Sequence, residues 1–195
     1  MNPTLDAAYW NQRYEQQQTG WDIGSCSTPL ATYFDQLTDK HIRILIPGCG
    51  NAYEAAYLLD KGFTNITLVD IAPLVTEKVK KQLATYGNAV RVLTADFFDM
   101  QEQFDLIVEQ TFFCALNPDL RSSYVVKMHE LLHPQGKLVG VLFNRHFEGG
   151  PPFGGSIALY DALFTVRFQL QTLAPCYNSI PPRSGSEVFI IARPL

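Results

Sequence analysis

The sequence predicts an α/β protein: a doubly wound, mostly parallel sheet of seven strands, with helices on both faces and a C-terminal antiparallel hairpin. Three observations carry that prediction. Short apolar runs alternate with amphipathic stretches from residue 42 to residue 143, the pattern of strands joined by right-handed helical crossovers in a buried parallel sheet. A two-glycine turn, "PGCG" at 47–50, separates the first run from the first amphipathic stretch. The last two runs, "RFQLQTLAPC" and "SEVFIIARPL", are joined only by "YNSIPPRSG". That link has no room for a crossover helix and demands antiparallel pairing.

Each element follows in order. Residues 5–18 set Leu5, Ala8, Tyr9 and Tyr14 among polar residues, a weakly amphipathic helix. "TGWDIGSCSTP" is an irregular loop, and Pro29 opens a helix through Leu37. "IRILI" (42–46) is strand one, and "NAYEAAYLLDKG" is a helix closed by Gly62. "NITLVD" is strand two. "PLVTEKVKKQLATYG" is a helix with Pro73 in its first turn and Gly87 past its end. "VRVLTAD" and "FDLIVE" are strands three and four, "PDLRSSYVVKMHELLHPQG" is a helix ended by Pro134 and Gly136, and "KLVGVLF" is strand five. The loop "NRHFEGGPPFGGS" and a short helix lead to the hairpin. The length suits one domain, 1–195, with an N-terminal helix and loop (1–28) ahead of a core at 29–195.

Composition narrows the function. Hydrophobic residues make up 47% and charged residues 17%, a globular balance. A net charge of -4 with no basic stripe argues against nucleic acid. The four cysteines are far apart with no C-x-x-C pair, so no metal site, redox dithiol or required disulfide is expected. The first twenty residues lack an apolar signal core, and no run nears the roughly 18 apolar residues of a membrane span. The expected setting is cytoplasmic, with a small-molecule partner and neither membrane nor protein partner evident.

The chemistry gathers at strand ends. Gly48 and Gly50 let backbone approach a ligand and aim helix N–H groups at it. The dinucleotide fingerprint G-x-G-x-x-G is incomplete, because Tyr53 occupies the third position and would crowd a pyrophosphate. Asp70, ending strand two, suits the ribose hydroxyls of an adenosine; a solvated strand-end carboxylate is the plainer alternative. Asp96 in "TADFF" has two readings: acceptor for an adenine amino group with Phe97 on the ring, or cap of the next turn with Phe97 in the core.

Taken together, "YWNQRYEQQQTGWDIG", "PGCG", "FDLIVEQTFFCALNPDLR", "LLHPQGKLVGVLF" and "GGPPFGG" cover most of the chain. They resemble the Rossmann-like class I S-adenosylmethionine-dependent methyltransferases, and among them the thiopurine methyltransferase family, especially its halide and thiol branch. That resemblance implies S-adenosylmethionine as cofactor and S-adenosylhomocysteine as product. It also implies that residues 1–28 close over the cofactor. By position it assigns cofactor contacts to Trp10, Tyr14, Trp21, Gly48, Gly50, Asp70, Ile71, Asp96, Phe97, Gln110 and Arg121. Tyr14 stands where the halide branch has tryptophan, and Gln110 where relatives often have tyrosine. The acceptor side falls to Trp21, Phe112, Phe113, Arg145 and Phe153.

The residues themselves agree with a soft-nucleophile displacement. Tryptophan faces attract a desolvated cation such as a sulfonium by about 0.5–2 kcal/mol, although Trp10 and Trp21 could equally anchor a helix on the core. A thiolate, bisulfide, thiocyanate or halide needs positioning rather than a general base. Two residues are catalytic candidates. Arg121 either draws an anionic acceptor or pairs with a carboxylate, and His146 either deprotonates a neutral thiol or is a plain surface residue. Glu109 either caps a helix or meets the cofactor's charged end. The amino-methylating D/N-P-P-Y/F signature is absent after strand four, where the chain reads "EQTFF". Remaining alternatives are an oxygen or nitrogen acceptor, a non-catalytic cofactor-binding protein, and an NAD-type oxidoreductase, the last opposed by Tyr53 and the terminal hairpin.

Overall fold

The computed structural model describes residues 4–195. Seven strands form one sheet: β1 (Ile44–Pro47), β2 (Ile66–Asp70), β3 (Val90–Thr94), β4 (Phe104–Gln110), β5 (Leu132–Phe143), β6 (Phe168–Pro175) and β7 (Glu187–Pro194). Their order is β3-β2-β1-β4-β5-β7-β6. The first five run parallel, and β7 is antiparallel to both β5 and β6. Strand order reverses between β1 and β4, and the crevice outside the carboxyl ends there is where open α/β sheets bind ligands.

Side chains alternate across the sheet and build two cores. Ile44, Ile46, Leu68 and Val108 pack one face against α2 (Thr28–Phe34), α3 (Tyr53–Asp60) and α4 (Pro73–Gln82). Leu45, Val69, Ile107 and Leu138 pack the other against α5 (Arg121–Glu130) and α6 (Ile157–Phe164). Local signals set the helix starts. Asp6 caps α1 (Ala7–Glu15) by accepting from the Tyr9 N–H at 2.9 Å, and Pro73 opens α4. None of these helices is long and apolar enough to cross a membrane.

Two boundaries differ from the sequence pattern. The helix expected over 73–87 stops as an α-helix at Gln82, and a 3₁₀ turn, Ala84–Ala89, contains Gly87. The helix expected to run to Pro134 and Gly136 stops at Glu130, and β5 is already under way at Leu132. Pro134 is tolerated because the β4–β5 ladder is broken there, its register shifting between Phe104 and Leu106.

Further along β5 the ladder is tight. Gly140 lies opposite Glu109 in the register, and a Cβ at Gly140 would sit 2.8 Å from the Glu109 carbonyl oxygen and overlap its side chain. Gly140→Ala is therefore expected to lower stability by about 1–3 kcal/mol through overpacking, read as a lower midpoint in chemical denaturation. An unchanged midpoint would contradict the close packing of β4 on β5.

Candidate active site

Beyond β1 the chain turns through Gly48, Cys49 and Gly50 into α3. Gly48 has φ +56° and Gly50 φ +50°. A Cβ at Gly48 would collide with the Phe112 ring, and one at Gly50 would lie 3.0 Å from the Tyr14 hydroxyl. Only glycine meets both the backbone conformation and the close approach at these positions. Asp70, at the end of β2, fastens this turn. Its Oδ2 accepts from the Gly50 N–H at 3.1 Å and its Oδ1 from the Ala72 N–H at 3.0 Å. Burial pushes the Asp70 carboxyl up, partly offset by the N–H groups of Ala72, Gly50 and Ile71.

At the end of β4, Glu109 is buried at 1% exposure. Its Oε1 accepts from the Phe112 and Phe113 N–H groups, both at 2.8 Å, and its Oε2 from the Tyr124 hydroxyl at 2.6 Å. It thereby holds the start of the 3₁₀ turn Phe113–Ala115. This pinned turn holds Thr111 at φ +58°, costly for a β-branched residue, and sets Phe112 at the cavity wall while Phe113 is fully buried.

The N-terminal segment covers the crevice. Trp21 meets Trp10 edge-on at 5.6 Å between ring centroids and Tyr14 at 5.8 Å. Asn11 Oδ1 accepts from the Leu74 N–H at 3.0 Å, and Asp22 accepts from Asn51 and from the Tyr53 hydroxyl. Glu54 Oε1 accepts from the Ser27 N–H at 3.0 Å, and Arg183 donates to the Trp21 carbonyl. Burial and the charge of Asp70 push the Tyr14 phenol up, so it stays protonated.

Between cover and strand ends lies a cavity of about 200 Å³. Trp10, Tyr14 and Trp21 line it from above; Gly48, Gly50, Asp70 and Ile71 line it from β1 and β2. Asp96, Phe97, Gln110 and Phe112 line it from β3 and β4. Asp96 also caps the 3₁₀ turn after β3, accepting from the Phe98 N–H at 2.9 Å, and Phe97 is at once core and wall. Asp22 and Asn51 line the cavity too, though no strand-end pattern in the sequence marks them. Among the described residues, no lysine, arginine or histidine lines it.

The remaining predicted residues lie elsewhere. Phe113 is fully buried in the second core, edge-on to Tyr124 at 5.1 Å and Tyr160 at 5.6 Å, and does not line this cavity. Arg121, Arg145, His146 and Phe153 line a second, open cavity of about 570 Å³. Arg121 finds no carboxylate; it donates to the Gly154 carbonyl at 2.8 Å and stacks 4.8 Å from the Phe113 ring centroid. The "GGPPFGG" segment is the partition. Pro151 and Pro152 face the first cavity, and Gly149, Phe153 and Gly154 face the second.

The first cavity fits an adenosine-bearing sulfonium. A turn with glycine at two of its three positions, a strand-end carboxylate and a cover of aromatic faces converge on it, with no fixed cation among the described lining residues to repel the ligand.

Comparison with known proteins gives the same picture. The family described as "Thiopurine S-methyltransferase (TPMT)" matches residues 5–188. The chain is 30% identical over 184 residues to "Probable thiol methyltransferase 2" of Arabidopsis thaliana, covering 91% of this chain and 81% of that protein. It is 30% identical over 194 residues to "Thiocyanate methyltransferase 1" of Brassica oleracea, covering 94% and 84%. In fold it is similar to the Burkholderia thailandensis 1,6-didemethyltoxoflavin-N1-methyltransferase solved with S-adenosylhomocysteine. That match has TM-score 0.76 and 17% identity, and covers 96% of this chain and 86% of that one.

Glu109 carries a pH signature. Burial pushes its carboxyl up to about 7 from an ordinary 4.5. Between those values the folded chain keeps a proton that the unfolded chain has released, so stability falls as pH rises through the window. Glu109→Gln keeps a carbonyl oxygen for the two N–H groups and removes the titration. Relative to wild type, its unfolding free energy should gain up to about 3 kcal/mol between pH 4.5 and pH 7.5. Parallel urea melts check this; curves that keep the same separation at every pH would contradict it.

Proposed function

The chain belongs to the thiopurine S-methyltransferase family, and from that premise we propose that it methylates a small soft nucleophile: a thiol, bisulfide, thiocyanate or halide. It is an S-adenosylmethionine-dependent methyltransferase. The cofactor supplies, when bound, a methyl group on a positively charged sulfur.

In this reading Asp70 accepts from the ribose hydroxyls while the Gly48–Gly50 turn leaves room for the rest of the nucleoside. Asp96 accepts from the adenine amino group, with Ile71 and Phe97 flanking the ring. Trp10, Tyr14 and Trp21 turn aromatic surface toward the sulfonium, and residues 4–28 act as the cover that keeps water out. Gln110 and Phe112 border the acceptor's approach.

One observation supports the soft-nucleophile reading above the others: the cavity holds aromatic and carboxylate groups but no histidine, lysine or arginine. Its carboxylates are each engaged in hydrogen bonds, Asp70 with Gly50 and Ala72, Glu54 with Ser27, Asp22 with Asn51 and Asp96 with Phe98, an arrangement that favours positioning over proton transfer. Cys114 also lines it, but burial pushes that thiol up and keeps it protonated. The chain's part is then to hold acceptor and methyl donor in line and exclude water. Charge is neutralised as an anion meets a cation, which a dry aromatic site favours. The names of the two plant relatives, a thiol and a thiocyanate methyltransferase, point the same way.

Transfer of labelled methyl to a panel of iodide, bisulfide, thiocyanate, thiophenol and a thiopurine tests the reading. Turnover is expected on at least one of these, and for thiol acceptors kcat/KM should rise with pH through the acceptor's own pKa. Silence across the panel with cofactor binding intact would overturn it in favour of an oxygen or nitrogen acceptor.

Two variants test the residue roles. Asp70→Ala should weaken S-adenosylhomocysteine binding by about tenfold or more in calorimetry, since it removes a charged acceptor. His146→Ala, facing the other cavity, should leave turnover within about twofold of wild type, because a base acting by proton transfer would cost roughly a hundredfold. Unchanged affinity in the first, or a hundredfold loss in the second, would reverse the assignments.

A further inference from the structure

We propose that Arg183 is the positioning residue that holds Trp21 over the methyl-transfer cavity, an inference resting on the reading that Trp21 contacts the bound cofactor. Arg183 closes the 3₁₀ turn Pro181–Arg183 in the β6–β7 connection, far from the cavity in sequence. Its Nη1 donates to Glu187 Oε1 at 3.1 Å, and its Nη2 donates to the Trp21 carbonyl. Its Cζ lies 5.1 Å from the Phe143 ring centroid. One guanidinium thus joins the cover loop, the first residue of β7 and the last residue of β5.

The pair is buried, with Arg183 at 8% and Glu187 at 3% exposure. Desolvation makes a buried ion pair a weak source of stability, and an apolar pair of similar size often does as well. What an apolar pair cannot do is aim a donor at one carbonyl. Glu187 pairs with Phe143 in the β5–β7 ladder, so Arg183 stands on a rigid strand end. From there it grips the residue whose ring lines the cavity and meets both Trp10 and Tyr14. Six residues on, Glu54 grips the Ser27 N–H. The short segment between Trp21 and Ser27 is therefore held at both ends, and Asp22, next to Trp21, adds bonds from Asn51 and Tyr53. Lysine offers one point charge on a flexible stem and cannot serve Glu187, the Trp21 carbonyl and the Phe143 face together.

The test uses an internal reporter. The chain has two tryptophans, Trp10 and Trp21, in contact with each other under this grip, so intrinsic emission reads the cover alone. S-adenosylhomocysteine is titrated into wild type, Arg183→Lys, and the paired replacement Arg183→Met with Glu187→Leu, which removes both partners of the buried ion pair. Binding is followed by calorimetry and by tryptophan emission, and folding by thermal melting.

Wild type should bind with a clear emission change. The paired replacement should fold, bind about tenfold more weakly and show a smaller emission change, as expected for loss of a charged donor to a carbonyl. Arg183→Lys should melt near wild type yet remain weak, and it decides the matter alone should the paired variant not fold. Wild-type affinity and emission change in these variants overturn the role of Arg183. Wild-type binding with no emission change overturns the placement of Trp21 itself, and this role with it.

Discussion

Two backbone turns share one carboxylate, and the cavity depends on it. Asp70 takes the Gly50 N–H from the turn after β1 and the Ala72 N–H from the turn after β2. Each bond to a charged acceptor is worth about 1.5–3 kcal/mol, and losing the acceptor would strand two donors. The arrangement recurs at two more corners: Glu109 takes the N–H groups of Phe112 and Phe113, and Glu54 takes that of Ser27. All three carboxylates are buried, and burial raises the pKa of each. Backbone donors offset part of that cost and leave the carboxyl oxygens paired. The cavity's geometry is thus written in side chain–backbone bonds rather than in apolar contact alone.

A second theme is how charge is apportioned between neighbouring spaces. The first cavity carries carboxylates and aromatic faces; the arginines and histidine expected near an acceptor face the second, across a strip of prolines and glycines. An anionic acceptor in the first cavity then meets no fixed positive charge on the protein. In the proposed reading the cation that draws an anionic acceptor in would be the one on its reaction partner, since an anion gains most from a site already holding an opposite charge in a dry environment.

Much of this was legible in the sequence because the signals were local. Apolar runs alternating with amphipathic stretches identified the sheet, the short link before β7 identified the hairpin, and Gly48, Gly50 and Asp70 lie at strand ends that the pattern itself locates. What was not legible depends on single-residue geometry or distant contact. Phe112 and Phe113 are indistinguishable in sequence, yet the turn pinned by Glu109 sends one to the cavity and buries the other. Arg121, Arg145 and Phe153 are near the cavity along the chain, but the partition loop puts them on its far side. Pro134 and Gly136 look like helix stops, and only the broken β4–β5 ladder lets them sit in a strand. Arg183 gave no signal, since the carbonyl it holds is 162 positions away.

The strand order has a consequence for how the chain is made. β7 lies between β5 and β6, antiparallel to both, so β6 touches the sheet only through a strand that follows it in the chain. As the polypeptide leaves the ribosome, the five parallel strands can assemble in turn, but β6 waits without a neighbour until β7 has emerged. In that interval β5 and β6 both present open edges, the state in which strands recruit partners from other chains. Two exposed residues of β6, Gln169 and Gln171, put polar side chains on that waiting strand. Folding of this protein is therefore a race that its last-made strand must win.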